Sequence, residues 1–194
     1  MHSIPSLALT LAVGTLTLSS ALLATPVTAG GAAVFNKAGE LAQPTGYREW
    51  IYIGAPVTPN DMNNGKAAFP EFHNVYIDPQ SYTHWKRTGT FRNGTVIVKE
   101  LVSVDTKKSA SGNGYFMGEY LGLEAMVKDS KHFPKEPGNW GFHRFTDEKN
   151  YDFKAMKTHA KANRAADCAS CHEANAKQDL VFIQHYPVLR AVKP

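Results

Sequence analysis

The sequence is poor in cysteine, with two residues among 194. This scarcity excludes a framework of several disulfides and a zinc site built from four cysteines. The sequence also has no run of lysine or arginine, and its formal net charge is only +4. Such a mild positive balance gives no indication of nucleic-acid binding. It suits an acidic protein partner or a small, near-neutral substrate.

Both cysteines lie in one short motif, Cys168-Ala169-Ser170-Cys171-His172. The Cys-x-x-Cys-His pattern is typical of covalent attachment of a c-type haem. Each thiol adds to one vinyl group, and the histidine offers an imidazole nitrogen to the iron. A zinc site would need two more ligands at short spacing, and a thioredoxin-like redox pair would need a βαβ context. The motif therefore predicts one haem c, bound by Cys168 and Cys171, with His172 as the iron ligand.

The first part of the chain has no charged side chain before Lys37, and residues 6–24 are apolar or small. Val27-Thr28-Ala29 resembles a small-residue cleavage site, which predicts a signal peptide over residues 1–29. An uncleaved membrane anchor is the alternative, because no lysine or arginine precedes the apolar stretch, although that stretch is rather short for a span. Export agrees with the haem motif, since haem is attached outside the cytoplasm in bacteria. We therefore expect a periplasmic protein that does not contact the membrane after cleavage.

Residues 30–194 are expected to form a single domain with a substantial core. Runs rich in aromatic and β-branched residues predict strands at 47–53, 71–78, 95–104, 115–127 and 140–145. Asp78 and Pro79 mark the start of a short helix through Trp85. From Phe153, alanine and lysine recur at helical spacing and predict a helix running into the haem motif. The predicted fold class is α+β, a mainly antiparallel sheet with helices, with the haem carried by a C-terminal helix.

No methionine follows His172 in the sequence. Small electron-transfer cytochromes use a downstream methionine as the sixth iron ligand. The upstream methionines could reach the iron but are interpreted as core residues; they are Met62, Met117, Met126 and Met156. The pattern therefore favours an open sixth site, where a small molecule can bind.

Two strands carry unusual residues in their interiors. Lys99 lies in the middle of an apolar strand face, a pattern that favours an edge-strand lysine whose stem covers apolar surface. On the next predicted strand, Gly118, Gly122 and Glu124 share one face. Glycine inside a strand indicates either close approach of a flat group or a bulge. In the first case, a porphyrin facing the glycines would bring Glu124 to its rim.

A series of short motifs extends across nearly the whole predicted mature chain. The series includes Tyr47-Arg48-Glu49-Trp50, Val75-Tyr76-Ile77-Asp78-Pro79, Val98-Lys99-Glu100-Leu101, Gly122-Leu123-Glu124-Ala125, Glu136-Pro137-Gly138-Asn139-Trp140, the haem motif, and Tyr186-Pro187-Val188-Leu189-Arg190. In this order the motifs resemble cytochrome P-460, a family of periplasmic haem proteins from ammonia- and methane-oxidising bacteria. The family is similar in fold to the β-type cytochromes c′, which bind nitric oxide.

The resemblance implies a mainly antiparallel sheet with helices, usually assembled as a homodimer. It also implies a third covalent bond to the haem, from a lysine nitrogen to a meso carbon, and Lys99 occupies the matching place. The implied activity is oxidation of hydroxylamine to nitrous oxide or nitric oxide at the open iron site, opposite His172. Electrons would leave to a periplasmic cytochrome. Glu124 matches an acidic pocket position and is the candidate base.

Two departures from the family pattern support an alternative function. His73 stands where a family member has arginine; it could donate to a bound ligand or be a structural strand histidine. Hydroxylamine-oxidising members carry a glutamate over the iron. If that glutamate belongs to the segment before the haem motif, this chain lacks it, because residues 153–166 contain no acidic residue. The alternative is a nitric-oxide-binding or buffering haem protein of the β-type cytochrome c′ kind, with little turnover. An electron carrier is the third possibility.

Overall fold

A computed structural model of the chain describes residues 33–105, 107–147, 155–163 and 166–192. The predicted signal peptide, residues 1–29, lies outside these ranges. Within them, no helix combines the length and the apolar character that a membrane span requires.

Short strands and helices surround one larger sheet. The strands are β1 Leu41–Ala42, β2 Ile51–Gly54, β3 Phe72–Ile77, β4 Val96–Val104, β5 Lys108–Ser109, β6 Gly112–Asn113, β7 Met117–Lys128, β8 Trp140–Arg144 and β9 His159–Ala160. The α-helices are α1 Pro79–Thr88, α2 Ala169–Asn175 and α3 Pro187–Arg190. Single 3₁₀ turns lie at Tyr47–Glu49, Asn60–Met62, Pro137–Asn139 and Ile183–His185. The predicted α+β class is confirmed.

The central sheet has five antiparallel strands in the order β2-β3-β4-β7-β8. Successive side chains on a strand point to opposite faces, so the sheet has two apolar faces. On one face, a core forms around Val75, Ile97, Met126 and Phe142 and is covered by residues from α1, α2 and α3. The other face supports a second core, which includes Val98, Leu123, Ala125, Phe133 and Phe145.

Helix α1 begins where the sequence predicts. The Asp78 carboxylate accepts a hydrogen bond from the backbone N–H of Ser81 at 2.8 Å, and Pro79 occupies the first turn. Gly89 ends the helix in the left-handed conformation, with φ of 66°. The helix is three residues longer than predicted, since it extends to Thr88 instead of Trp85.

The predicted helix from Phe153 into the haem motif is wrong over the described residues. His159–Ala160 forms β9 and pairs with β1, and Ala162 pairs with His143 on β8. Helix propensity is a weak preference, and these backbone hydrogen bonds to other strands override it. The helix that the described residues form at the motif is α2, which begins at Ala169.

Two expectations for the strand interiors are also corrected. Lys99 lies on β4, the middle strand of the sheet, so the edge-strand interpretation is wrong. The pairing of β4 with β7 shifts register beside Gly122 and again towards Gly118, which supports the bulge interpretation of these glycines. A Cβ on Gly122 would lie 2.6 Å from Oγ1 of Thr146, and one on Gly118 would lie 2.5 Å from Oγ of Ser103. Both glycines therefore pack against protein side chains.

Candidate functional site

The Cys-x-x-Cys-His motif surrounds the first turn of α2. Cys168 precedes the helix, while Cys171 and His172 lie within it. The backbone N–H of His172 donates to the carbonyl of Cys168 at 3.2 Å, which brings the two residues together across one turn. Both cysteines are free thiols, with Cys168 partly buried and Cys171 exposed. This arrangement leaves both thiols available for thioether bonds to a haem.

His172 is held in one orientation and one tautomer. Its Nδ1 donates to the carbonyl oxygen of Leu180 at 2.7 Å. The rings of Phe142 and Phe182 flank the imidazole, each at 4.7 Å between centroids. Burial holds the pKa of His172 below its ordinary value, which favours the neutral ring. With the Nδ1 proton committed to Leu180, Nε2 carries the lone pair that an iron ligand needs.

Three charged side chains form a row across the sheet on the face that carries the first core. Register places Lys99 on β4 opposite Glu124 on β7, and Glu124 opposite Arg144 on β8. The Lys99 ammonium lies 2.6 Å from Oε2 of Glu124, and Nε of Arg144 donates to Oε1 at 2.7 Å. Glu124 thus joins two cations at a partly buried position on the sheet.

The row fixes Glu124 as a carboxylate. Burial is the largest influence on its pKa and acts upward, because it penalises the charged form. The charges and hydrogen bonds of Lys99 and Arg144 act downward, and together they hold the pKa below its ordinary value. Glu124 is therefore ionised at neutral pH.

His73 lies near the same row. On β3, His73 pairs with Leu101 of β4, and Val75 pairs with Lys99. Because residues two apart on a strand share a face, His73 lies on the same face of the sheet as Lys99. Burial, helped by the charge of Lys99, lowers the pKa of His73 to about 3, while Glu124 opposes the shift. Its Nε2 is buried and has no hydrogen-bond partner among the described residues. The ring is neutral and retains one polar atom that can serve a ligand or water.

Phe69 lies beside both His73 and Lys99. The Phe69 ring packs edge-on against the His73 ring, with 6.0 Å between the two ring centroids. The Lys99 ammonium lies 5.1 Å from the centroid of the Phe69 ring. Although Phe69 is 42% exposed, it shields the Lys99 and His73 side chains from water on one side.

The haem motif and the charged row belong to one site. Lys99 and Glu124 shift the pKa of both His172 and His73, so all four side chains lie within electrostatic reach of one another. A cleft of about 600 Å³ is lined by Arg144 and by Asn163, whose amide lies 3.5 Å from Sγ of Cys168, whereas Lys99, Glu124, His73 and His172 do not line it. The thiols, the neutral His172, the unpartnered atom of His73 and the adjacent lysine fit a covalently bound haem.

Sequence reasoning missed Arg144, Phe69 and Glu71. The only signal for Arg144 was its place on a predicted strand, because the register that sets it beside Glu124 is not visible in a single sequence.

Glu71 is 5% exposed, and its Oε1 has no partner among the described residues. It lines a second cleft, of about 340 Å³, with Ser103, Asp61 and others. Nothing in the local sequence around Glu71 indicated burial.

Comparison with known proteins gives one family. The family described as Cytochrome P460 matches residues 44–183, a span that contains the haem motif, Lys99, Glu124 and His73. No curated protein matches the chain. Proteins of the matching family carry a c-type haem, and a cross-link between a lysine and the haem is characteristic of them.

Proposed function

This chain belongs to the cytochrome P460 family, and from that premise we propose that it is a periplasmic haem enzyme that oxidises hydroxylamine to nitrous oxide or nitric oxide. Membership of the family supports a c-type haem and an oxidoreductase activity. The observation that carries the proposal is the shared site of His172, Lys99, Glu124 and His73. The lysine expected to bind the haem lies beside a carboxylate and within electrostatic reach of the expected iron ligand.

Each residue has a proposed role toward the haem. Cys168 and Cys171 would attach it, and His172 would supply the iron ligand from Nε2. When bound, the haem provides an iron that takes a small nitrogen ligand and passes on its electrons. Lys99 would be the residue that holds the ring through the additional bond characteristic of the family, and Glu124 positions its nitrogen.

A bond from Lys99 to the haem would also change the charge around Glu124. A nitrogen attached to a conjugated ring carries no ammonium charge at neutral pH, so Glu124 would keep Arg144 as its only cation from the row. The loss of one neighbouring cation would raise the pKa of Glu124 and of His73. Both groups would then be better proton acceptors. Hydroxylamine oxidation requires such acceptors, because each oxidation step releases protons.

One observation favours the second candidate function, a nitric-oxide-binding or buffering protein with little turnover. In the described geometry Glu124 has a lowered pKa and His73 has a pKa of about 3. Groups this weakly basic accept protons poorly at neutral pH. If Arg144 alone keeps the pKa of Glu124 low, the pocket binds small nitrogen ligands without oxidising them efficiently.

Anaerobic turnover of the purified holoprotein with hydroxylamine and an artificial oxidant separates these functions. We expect nitrous oxide in the headspace for the wild type and at least about a hundredfold lower rate for Glu124→Gln, the usual scale for loss of a general base. Glu119→Gln is the matched control, since Glu119 lies on the same strand but is exposed. Wild-type protein that binds hydroxylamine and yields no gas would support the binding function instead.

We further propose that a periplasmic cytochrome accepts the electrons, that the holoprotein is a homodimer and that the signal peptide is cleaved after residue 29. The first two proposals come from the resemblance to the family, and the third comes from the small-residue motif Val27-Thr28-Ala29. Sedimentation of the holoprotein tests the dimer, and N-terminal sequencing of exported protein tests cleavage after residue 29. A monomer, or an intact N-terminus in exported protein, would contradict the respective proposal.

A further inference from the structure

A turn after α2 contains two consecutive residues in the left-handed region. Asp179 has φ of 46° and Leu180 has φ of 60°. Residues other than glycine adopt this region at an energetic cost, and they persist there only where surrounding contacts impose it. The backbone of Gln178 pairs with Val181 across the turn. This turn carries the carbonyl that accepts the proton of His172.

Contacts from the sheet hold Asp179 in this conformation. Its Oδ1 accepts hydrogen bonds from Nζ of Lys128 at 3.0 Å and from Nε1 of Trp140 at 3.2 Å. Its Oδ2 lies 2.9 Å from the same ammonium. Lys128 also donates to the carbonyl of Gly138 at 2.6 Å, and its ammonium lies over the Trp140 ring. Both donors are therefore positioned by contacts of their own.

Gly138 provides the space for this arrangement. A Cβ at this position would lie 2.8 Å from Oδ1 of Asp179 and 2.9 Å from Cδ1 of Trp140. Gly138 itself has φ of 59°, a conformation that glycine adopts without penalty. The segment before β8 is thus shaped to receive the Asp179 carboxylate.

The carboxylate and the His172 ring are joined through one residue. Asp179 is fixed by Lys128 and Trp140, and the next residue, Leu180, points its carbonyl at Nδ1 of His172 at 2.7 Å. A short, well-directed acceptor at Nδ1 makes the imidazole a stronger donor at its other nitrogen. Stronger donation favours ferric iron over ferrous iron and lowers the reduction potential of a haem.

We propose that Asp179 is a positioning residue for the haem, acting through the carbonyl of Leu180 to orient His172 and strengthen it as an iron ligand. The proposal rests on haem attachment at His172, a part of the proposed function, and does not depend on hydroxylamine as substrate. Lys128 and Trp140 share the role because they hold the carboxylate of Asp179.

The test uses purified holoprotein and two measurements made without hydroxylamine. Asp179→Asn keeps the shape of the side chain and removes its charge. We expect a higher midpoint potential of the haem and a lower iron–histidine stretching frequency in the ferrous resonance Raman spectrum. Asp61→Asn is the matched control, because Asp61 is an exposed carboxylate paired with Lys107 away from this turn, and it should change neither quantity.

A second variant separates positioning from simple charge. Removing one negative charge raises the potential of any nearby haem, so we add the double variant Asp179→Asn with Lys128→Met, which removes both charges of the pair. If Asp179 positions His172, the double variant still shows the raised potential and the lowered stretching frequency. A stretching frequency unchanged in both variants, or a potential that returns to the wild-type value in the double variant, would overturn the proposal.

The outcomes also separate this inference from the proposed activity. A holoprotein that shows the expected shifts but does not oxidise hydroxylamine supports the role of Asp179 and contradicts the enzyme function. A holoprotein that turns over hydroxylamine with unchanged iron–histidine frequency in both variants supports the enzyme and contradicts the role. Wild-type protein with no haem bound to His172 would contradict both.

Discussion

Lys99 takes its chemical environment from three strands at once. Its own strand, β4, places it in the middle of the sheet, β7 supplies Glu124, and β8 supplies Arg144, which holds the other carboxylate oxygen. Its apolar neighbours in sequence indicate burial, but they do not indicate a partner. The function of this residue therefore depends on strand register more than on its own motif.

If Lys99 forms the additional bond to the haem, protease digestion of the holoprotein will yield one haem-bearing fragment that joins the Lys99 peptide to the Cys168–His172 peptide. Lys99→Arg keeps the charge beside Glu124 but prevents the bond, so we expect the joined fragment to disappear and an ordinary c-type spectrum to return. Mass spectrometry of the digest and absorption spectroscopy measure these changes.

Lys107→Arg is the control for that substitution. Lys107 also pairs with a carboxylate, that of Asp61, but it is an exposed side chain. Its spectrum and its fragments should match those of the wild type. Recovery of the same joined fragment from Lys99→Arg would show that another residue forms the bond.

The helices and strands that the sequence predicted well are those that residues close together in the chain are sufficient to specify. Helix α1 starts at an Asp-Pro pair that caps its own N-terminus, and β4 is a dense run of β-branched residues. The segment at 155–163 shows the opposite case, because its alanine and lysine content favours a helix whereas its described residues pair with β1 and β8. The partners of this segment lie far away in sequence, so local composition could not reveal them.

The candidate site divides in the same way. The residues expected to bind the haem form one contiguous motif, and their chemistry is readable from spacing alone. His73 and the charged row come from β3, β4, β7 and β8, so Arg144 could not be found without the register of the sheet. The resemblance to a family pointed to Lys99, Glu124 and His73, but it gave no contact between them.

Asp78 links α1 to the sheet and is fully buried. Its carboxylate accepts from the backbone N–H groups of Ser81 and Val96 and lies 3.4 Å from Nη2 of Arg92. We expect Asp78→Ala to lower the free energy of unfolding by about 2–4 kcal/mol, since it removes a helix cap and leaves buried donors unpaired. Urea unfolding of the holoprotein gives this value.

Asp105→Ala is the comparison for that measurement, because Asp105 is exposed. Exposed positions usually change stability by less than about 0.5 kcal/mol. An Asp78→Ala loss no larger than that of Asp105→Ala would show that the cap and the Val96 contact add little to stability.

The described part of the molecule is organised around one sheet whose two faces differ. One face carries the haem motif and the charged row, and the other packs a second apolar core. Substitutions in this second core therefore test folding separately from haem chemistry. His143 is suitable, because it is 1% exposed and packs beside Phe133 and Phe35 on that face.

His143 should make the stability of the protein depend on pH. Its Nδ1 donates to the carbonyl of Ala160 at 3.0 Å, and burial lowers its pKa below the ordinary value, against the opposing effect of its hydrogen bonds. In the unfolded chain histidine titrates near pH 6.5. Between that value and its lowered pKa in the fold, the unfolded chain binds a proton that the folded protein does not. By linkage, stability falls as the pH drops from about 7 through this range.

Urea midpoints of the holoprotein at pH 7, 6 and 5 measure this dependence. We expect the midpoint to fall with pH in the wild type and to fall less steeply in His143→Gln, which cannot take up the proton. His159→Gln removes an exposed histidine on β9 and should keep the wild-type slope. Other buried groups such as His73 act in the same direction, so the slope of His143→Gln is reduced without reaching zero. Equal slopes for His143→Gln and the wild type would mean that His143 accepts its proton without unfolding the second core.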